Sequence, residues 1–217
     1  MTGARLALTA AFLAWLLAVP LYVVTQFVAT VAHEGGHALV ATVLFQKVRS
    51  IRLYRNAGGG TDAGEPPWLF AIFIGMAGYL GPSTFGLLAV ALLIRGLNDA
   101  VLWASIGFLL LMLVVVRGPF GWFIVPALIA AIFWIATKVP QPNRLLLTHV
   151  WVWLLLIVPV EDMLVYLRQR LYRRPTADTA RMQRLTLLPS ALWAVILLGG
   201  TVAALVYGGD LLLHRTR

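Results

Sequence analysis

The chain of 217 residues is dominated by uncharged apolar stretches, most of them long enough to span a membrane. A helix needs about 20 residues to cross a hydrocarbon core about 30 Å thick. Hydrophobic residues make up 61% of the sequence and charged residues 12%, which leaves too little charge to solvate a water-soluble fold. The sequence therefore predicts an all-α polytopic membrane protein with about six to seven transmembrane helices. The apolar stretches cover residues 6–32, 68–94, 100–116, 118–137, 145–160 and 185–209.

The first apolar stretch effectively continues to Gln46, which at about 1.5 Å per residue is roughly twice the thickness of a bilayer. Pro20 supplies the break that such a length requires. Residues 6–46 thus form either two passes or one bent pass. Because the apolar character runs straight through Pro20, we expect an uncleaved segment rather than a signal peptide, and a single domain over residues 1–217.

The net charge of +9 is concentrated in three segments between apolar stretches, Lys47 to Arg55, Arg117, and Arg168 to Arg184. The positive-inside rule predicts that all three face the cytoplasm. This placement explains the basic charge without a nucleic-acid partner, and we expect none. Residues 168–188 have the composition of an interfacial segment attracted to anionic lipid or, equally, of a solvated loop. We expect a multi-pass protein of a bacterial cytoplasmic membrane.

Residues 47–64 differ from the apolar stretches in their pattern. Apolar and polar side chains alternate through Val48, Ile51 and Leu53, and a glycine run follows at residues 58–60. Alternation before a glycine-rich turn is typical of a hairpin. The sequence predicts a short membrane-associated β-hairpin near residues 48–64.

The scarce polar residues gather within apolar sequence at His33-Glu34-Gly35-Gly36-His37. Histidines four residues apart project from one face of a helix, a spacing at which both imidazoles reach one Zn²⁺ ion. Glu34 lies beside that face and can take a proton from a water molecule that the metal activates. The two glycines weaken a helix, which indicates close approach of another helix or of a substrate backbone. The chain has no cysteine, so the remaining zinc ligand must be His or a carboxylate.

Depth in the bilayer sorts the candidates for a third ligand. The two histidines lie about 15 Å below the cytoplasmic surface if their helix is continuous. Asp162 lies six residues before Arg168, and helix tilt brings it within reach of that depth. Asp162 is therefore our predicted third ligand, with neighbouring Glu161 and loop residue Asp178 as alternatives. His149 lies near the opposite surface and is predicted to be an interfacial or packing residue.

Three segments, the first together with the hairpin that follows it, resemble the site-2 protease family of intramembrane zinc metalloproteases, in particular its compact branch without a PDZ domain. The segment HEGGHALVA is similar to the family's His-Glu-x-Gly-His helix, and RNAGGGT to the glycine-bearing hairpin that follows it. MAGYLGPSTFG resembles the Gly-Tyr-Leu-Gly-Pro helix of this branch, and ADTARMQRLTLLPSALW the segment before its last helix. Many members carry the third ligand in an Asn-Pro then Asp-Gly context, whereas residues 158–163 here read VPVEDM, without that asparagine or glycine.

The resemblance implies hydrolysis of a peptide bond within or next to a transmembrane segment of a membrane-protein substrate. His33 and His37 would be zinc ligands and Glu34 the general base, with the active site toward the cytoplasmic side. The alternative is a catalytically inactive, protease-like membrane scaffold or chaperone.

Overall fold

The apolar stretches form helices in the computed structural model, which describes residues 3–170 and 177–215. Among the described residues, five helices are long and apolar enough to cross a membrane, and the bent pair α1–α2 makes a sixth if it is one broken span. The predicted polytopic helical fold is confirmed, with five to six spans. The helices are α1 (Gly3–Ala18), α2 (Tyr22–Val43), α3 (Trp68–Leu93), α4 (Asn98–Val115), α5 (Gly121–Lys138), α6 (Asn143–Arg170), α7 (Ala177–Thr186) and α8 (Ser190–Arg215).

The predicted break at Pro20 separates α1 from α2, whose axes differ by 98°. Proline has no backbone N–H and its ring clashes with the preceding turn, so it kinks or ends a helix. The hydroxyl of Thr25 donates a hydrogen bond to the Leu17 carbonyl across the break, at 3.1 Å. The bend therefore allows α2, which carries the two histidines, to run nearly perpendicular to α1.

The predicted hairpin is confirmed as strands β1 (Ser50–Leu53) and β2 (Gly59–Asp62), which pair antiparallel with Ile51 opposite Thr61. A third strand, β3 (Val116–Arg117), pairs parallel with β1 and gives the order β2-β1-β3. It was not predicted because two residues are too few to show an alternating pattern. Ile51 and Val116 are completely buried, so the sheet is anchored to the helices beneath it.

Helices α2 and α3 approach closely through glycines on both helices. A Cβ atom on Gly36 would collide with the Ala77 carbonyl oxygen, and one on Gly81 would lie 3.0 Å from the Gly36 Cα. Any larger side chain at these positions would force the two helices apart. The close helix approach predicted from the glycines of the motif is confirmed.

Helix α7 lies against α3 rather than projecting from the bundle. Its Met182 is 1% exposed and packs over Gly75, where a Cβ atom would lie 3.2 Å from the Met182 Cγ. The hydroxyl oxygens of Tyr166 on α6 and Thr179 on α7 lie 2.8 Å apart and form a second attachment. The segment predicted to be interfacial or solvated is thus a helix over Ala177–Thr186, while residues 171–176 lie outside the described part of the chain.

Candidate metal centre

The two histidines of the motif meet on one face of α2. The Nε2 atoms of His33 and His37 lie 3.0 Å apart, and the ring of His37 is buried, with the residue 5% exposed. The Nδ1 atom of His37 lies 2.6 Å from the Ile74 carbonyl oxygen on α3. A carbonyl can only accept, so this contact keeps the proton on Nδ1 and leaves the Nε2 lone pair free for a cation.

An Asp178 carboxylate oxygen completes a triangle with the two Nε2 atoms, at 3.4 Å from His33 and 3.5 Å from His37. A tetrahedral zinc site with bonds of about 2.0–2.1 Å has ligand-to-ligand edges of about 3.3 Å. The three separations are close to that edge length, and two imidazoles with one carboxylate are a donor set that zinc accepts. The residues therefore fit a zinc ion with a fourth position left open.

Asp178 replaces Asp162 as the third ligand candidate. Among the described residues, the group of three potential metal ligands comprises His33, His37 and Asp178. The carboxylate of Asp162 instead accepts a short hydrogen bond from the Tyr22 hydroxyl at the start of α2. Depth along α6 favoured Asp162, but the return of α7 onto Gly75 brings the loop candidate to the histidines.

The charge state of Asp178 suits this position. Burial raises the pKa of its carboxyl, but the neighbouring imidazoles of His33 and His37 lower it by more, so the pKa lies well below its usual range. Asp178 is therefore ionised at neutral pH, which is the form in which a carboxylate binds a cation.

Glu34 is 4% exposed and is held in one orientation by the hairpin. Its Oε2 accepts a hydrogen bond of 2.6 Å from the Thr61 hydroxyl on β2. Gly59 packs on the same side chain, because a Cβ atom there would lie 2.7 Å from the Glu34 Cγ. Burial of an ionisable side chain has a large desolvation cost, which a hydrogen-bond partner partly offsets. Such a residue therefore indicates a functional site.

The space for the two imidazole rings is provided by Gly78 on α3. A Cβ atom at this position would collide with the ring of His37 and lie 2.7 Å from the His33 Nε2. The ring of Tyr79 contacts the edge of the His33 ring, with centroids 4.7 Å apart. Helix α3 therefore provides the space for the two imidazoles of α2 and contacts one of them directly.

These groups open onto a cavity of about 310 Å³ between α2, β2 and α7. Glu34, His37 and Asp178 line it together with residues of the hairpin and two arginines of α7, Arg181 and Arg184. The cavity thus joins Glu34 and two of the candidate metal ligands to the hairpin and to α7.

The remaining acids and histidines lie elsewhere. His149 is 2% exposed on α6, with Nδ1 2.9 Å from the Leu145 carbonyl oxygen, and is thus a packing residue. Asp62 accepts from the Gly64 N–H, Asp99 pairs with Arg144, and Asp210 pairs with His214. Glu161, the second alternative, is half-buried on α6 and is outside the three-residue group.

A family profile described as Peptidase M50B-like matches residues 6–208. The chain belongs to the Peptidase M50B-like family. The resemblance to site-2 proteases is thereby confirmed, and with it a metalloprotease fold in a multi-pass membrane protein. No curated protein and no solved structure matches the chain.

Two parts of this M50B-like site were missed by the sequence analysis. Thr61 was overlooked because a threonine 27 positions from Glu34 carries no spacing signal, although it follows the glycine run of the hairpin. Arg181 and Arg184 were interpreted only as basic loop residues. The signal for them was their spacing of three and six from Asp178, which places all three along one side of a helix.

Proposed function

We propose that this M50B-like protein is an intramembrane zinc metalloprotease that hydrolyses a peptide bond within or next to a transmembrane segment of a membrane protein. The observation that carries the proposal is the meeting of His33, His37 and Asp178, two of which, His37 and Asp178, line the same cavity as Glu34. The three side chains would hold Zn²⁺, which supplies an activated water and polarises the scissile carbonyl.

Glu34 acts as the general base in this proposal. The Thr61 hydroxyl holds one carboxylate oxygen at 2.6 Å, so the group faces the cavity in a fixed orientation. Glu34 accepts the proton of the attacking water and returns it to the leaving amine. Its burial beneath Gly59 limits competing bulk water around the reacting groups.

The outer edge of β2 is the proposed binding position of the substrate backbone. The Tyr54 N–H donates to the Gly58 carbonyl at 2.9 Å, and the alternation of the ladder then turns the backbone groups of Gly59 and Thr61 away from β1. Within the described residues no other strand pairs with this edge. Because Gly59 and Thr61 also line the cavity, an unwound substrate added as a further strand would pass the candidate metal ligands.

Strand addition predicts that N-methylation of the substrate backbone slows cleavage only at every second residue. Methyl groups on the N–H groups that face β2 are expected to slow cleavage at least about fivefold, because two hydrogen bonds of about 0.5–1.5 kcal/mol each are lost. Methyl groups on the intervening residues should change the rate by less than about twofold. Rates measured with both peptide sets test this, and equal tolerance of both sets would argue against strand addition.

The orientation of the active site follows from the shared position of the three basic segments. Pairing of β1 with β3 brings the hairpin and Arg117 to one side, and the cavity brings Arg181 and Arg184 to the same hairpin. We propose that this side is the cytoplasmic side of a bacterial membrane, as the positive-inside rule predicts. Membrane proteins or transmembrane peptides are the proposed substrates, and the chain acts as one domain in the bilayer.

The test is cleavage of transmembrane peptides by the purified protein in zwitterionic lipid vesicles, with bound zinc measured in the same preparation. We expect about one zinc ion per chain, cleavage that stops on chelation, and recovery when zinc is returned. Cleavage that survives removal of zinc would contradict a zinc-dependent mechanism. A zinc-loaded protein that processes none of a broad peptide panel would instead favour a protease-like scaffold.

A further inference from the structure

Two arginines of α7 share the cavity of the candidate metal centre. Asp178, Arg181 and Arg184 are spaced by three residues and all line this cavity, whereas Met182 between them packs onto α3. Arg181 and Arg184 are both exposed. Helix α7 therefore presents one acidic and two basic residues to the space that a substrate would occupy.

Neither arginine is neutralised by the acids of the cavity. Asp178 pairs with the imidazoles of His33 and His37, and Glu34 accepts from Thr61. Within the described ranges, the remaining ion pairs join Arg144 to Asp99 and His214 to Asp210. Among the residues that the structure describes, the two arginines that line the cavity thus have no anionic partner.

Guanidinium groups in such a setting select carboxylates. Their planar array of N–H donors matches the two oxygens of a carboxylate and can bind both at once. An apolar peptide lying along β2 would leave both arginines unpaired. A peptide with a carboxylate on the side facing α7 would pair with them while its backbone lies beside Glu34.

We propose that Arg181 and Arg184 form a carboxylate-recognition subsite that selects apolar peptide substrates with a carboxylate close to the bond to be cleaved. The carboxylate is either an acidic side chain at the end of a transmembrane segment or a free C-terminus. The choice of a peptide as ligand rests on the proposed function, because the arginines share their cavity with Glu34 and the candidate metal ligands. The subsite acts on specificity, and neither arginine takes part in proton transfer.

The experiment measures binding rather than turnover, in the Glu34→Gln protein held in nanodiscs of zwitterionic phosphatidylcholine. Fluorescent apolar octapeptides carry either Glu or Gln at one internal position and either a free or an amidated C-terminus. We expect a peptide with one carboxylate to bind about fivefold to tenfold more tightly than the peptide with none, as judged by fluorescence anisotropy. The advantage should shrink as salt is raised. The two singly charged peptides distinguish the side-chain source from the terminal source.

The variant that tests the assignment is Arg181→Gln/Arg184→Gln in the same background, where the carboxylate preference should fall below about twofold. Arg52→Gln is the matched control, since Arg52 is an exposed arginine of the hairpin that does not line this cavity. It should keep the full preference. Zinc content and thermal unfolding are measured for each variant, to check that the double substitution leaves the fold intact.

Three results would overturn the subsite. One is equal binding of charged and uncharged peptides, and another is a preference that persists in the double variant. The third is loss of the preference when phosphatidylglycerol replaces phosphatidylcholine, which would assign the arginines to lipid phosphate. A carboxylate preference without any cleavage by the wild-type protein would remove the proposed protease activity and leave the subsite standing. Cleavage by the wild-type protein without a carboxylate preference would remove the subsite and leave the proposed protease activity standing.

Discussion

Replacement of Glu34 by glutamine is expected to lower the rate of peptide cleavage by about 10³-fold while leaving one zinc ion bound. Glutamine has nearly the shape of glutamate, and its carbonyl oxygen can still accept the Thr61 hydrogen bond that holds the native side chain at 2.6 Å. It cannot accept a proton from water, and general-base catalysis is worth about 10²- to 10⁴-fold. Initial rates on a transmembrane peptide, with zinc determined on the same sample, measure both quantities.

Glu65→Gln is the matched control for this variant, because Glu65 is an exposed acid beyond the hairpin that does not line the cavity. Its cleavage rate should remain within about twofold of the wild type. A Glu34→Gln protein that cleaves at the normal rate would show that the base lies elsewhere. Loss of zinc from the same variant would mean that Glu34 contributes to metal binding and not only to proton transfer.

Asp178→Asn is expected to weaken zinc binding at least about 100-fold and to abolish cleavage at limiting zinc. The substitution preserves the shape of the side chain but removes the negative charge that lies 3.4 Å and 3.5 Å from the two imidazole Nε2 atoms. Loss of a direct ligand exceeds the 10- to 100-fold cost that is typical of outer-shell partners. Competition with a chromophoric chelator gives the affinity.

Asp162→Asn is the control that separates the two acids, since the Asp162 carboxylate contacts Tyr22 rather than the histidines. We expect its zinc affinity to stay within about threefold of the wild type, although its thermal stability should fall because the part-buried hydrogen bond from Tyr22 is altered. If Asp162→Asn lost zinc and Asp178→Asn retained it, the ligand would be on α6, and Glu161→Gln would then examine the neighbouring acid.

Local pattern was sufficient for most of the fold. Uncharged stretches of membrane length predicted the long helices, Pro20 predicted the 98° break, and alternation before three glycines predicted the hairpin. These features depend on residues within one or two turns of each other, where hydrophobic periodicity and backbone preference dominate. The two-residue strand β3 was beyond this reasoning because its pairing partner lies more than 60 positions earlier.

In the candidate site, too, the sequence predicted the residues that are close in the chain and not the one that is distant. His33, Glu34 and His37 are four residues apart at most, so helical geometry alone places both imidazoles on one face with Glu34 beside it. The third ligand candidate lies 145 residues from His33, and no local rule relates the two positions. Depth along α6 favoured Asp162. That estimate treated the segment after α6 as a loop and did not consider that α7 packs back against α3.

The amino-acid sequence by itself determined the membrane-embedded helical architecture, the hairpin and the paired imidazoles with their neighbouring carboxylate, because each follows from short-range periodicity and the demand for apolar surface in a bilayer. Tertiary structure alone decided which acid joins the imidazoles, what orients Glu34 and which arginines line the cavity. Those choices depend on the packing of Met182 over Gly75 and of β2 over α2, where side chains distant in the chain must fit one another's shape.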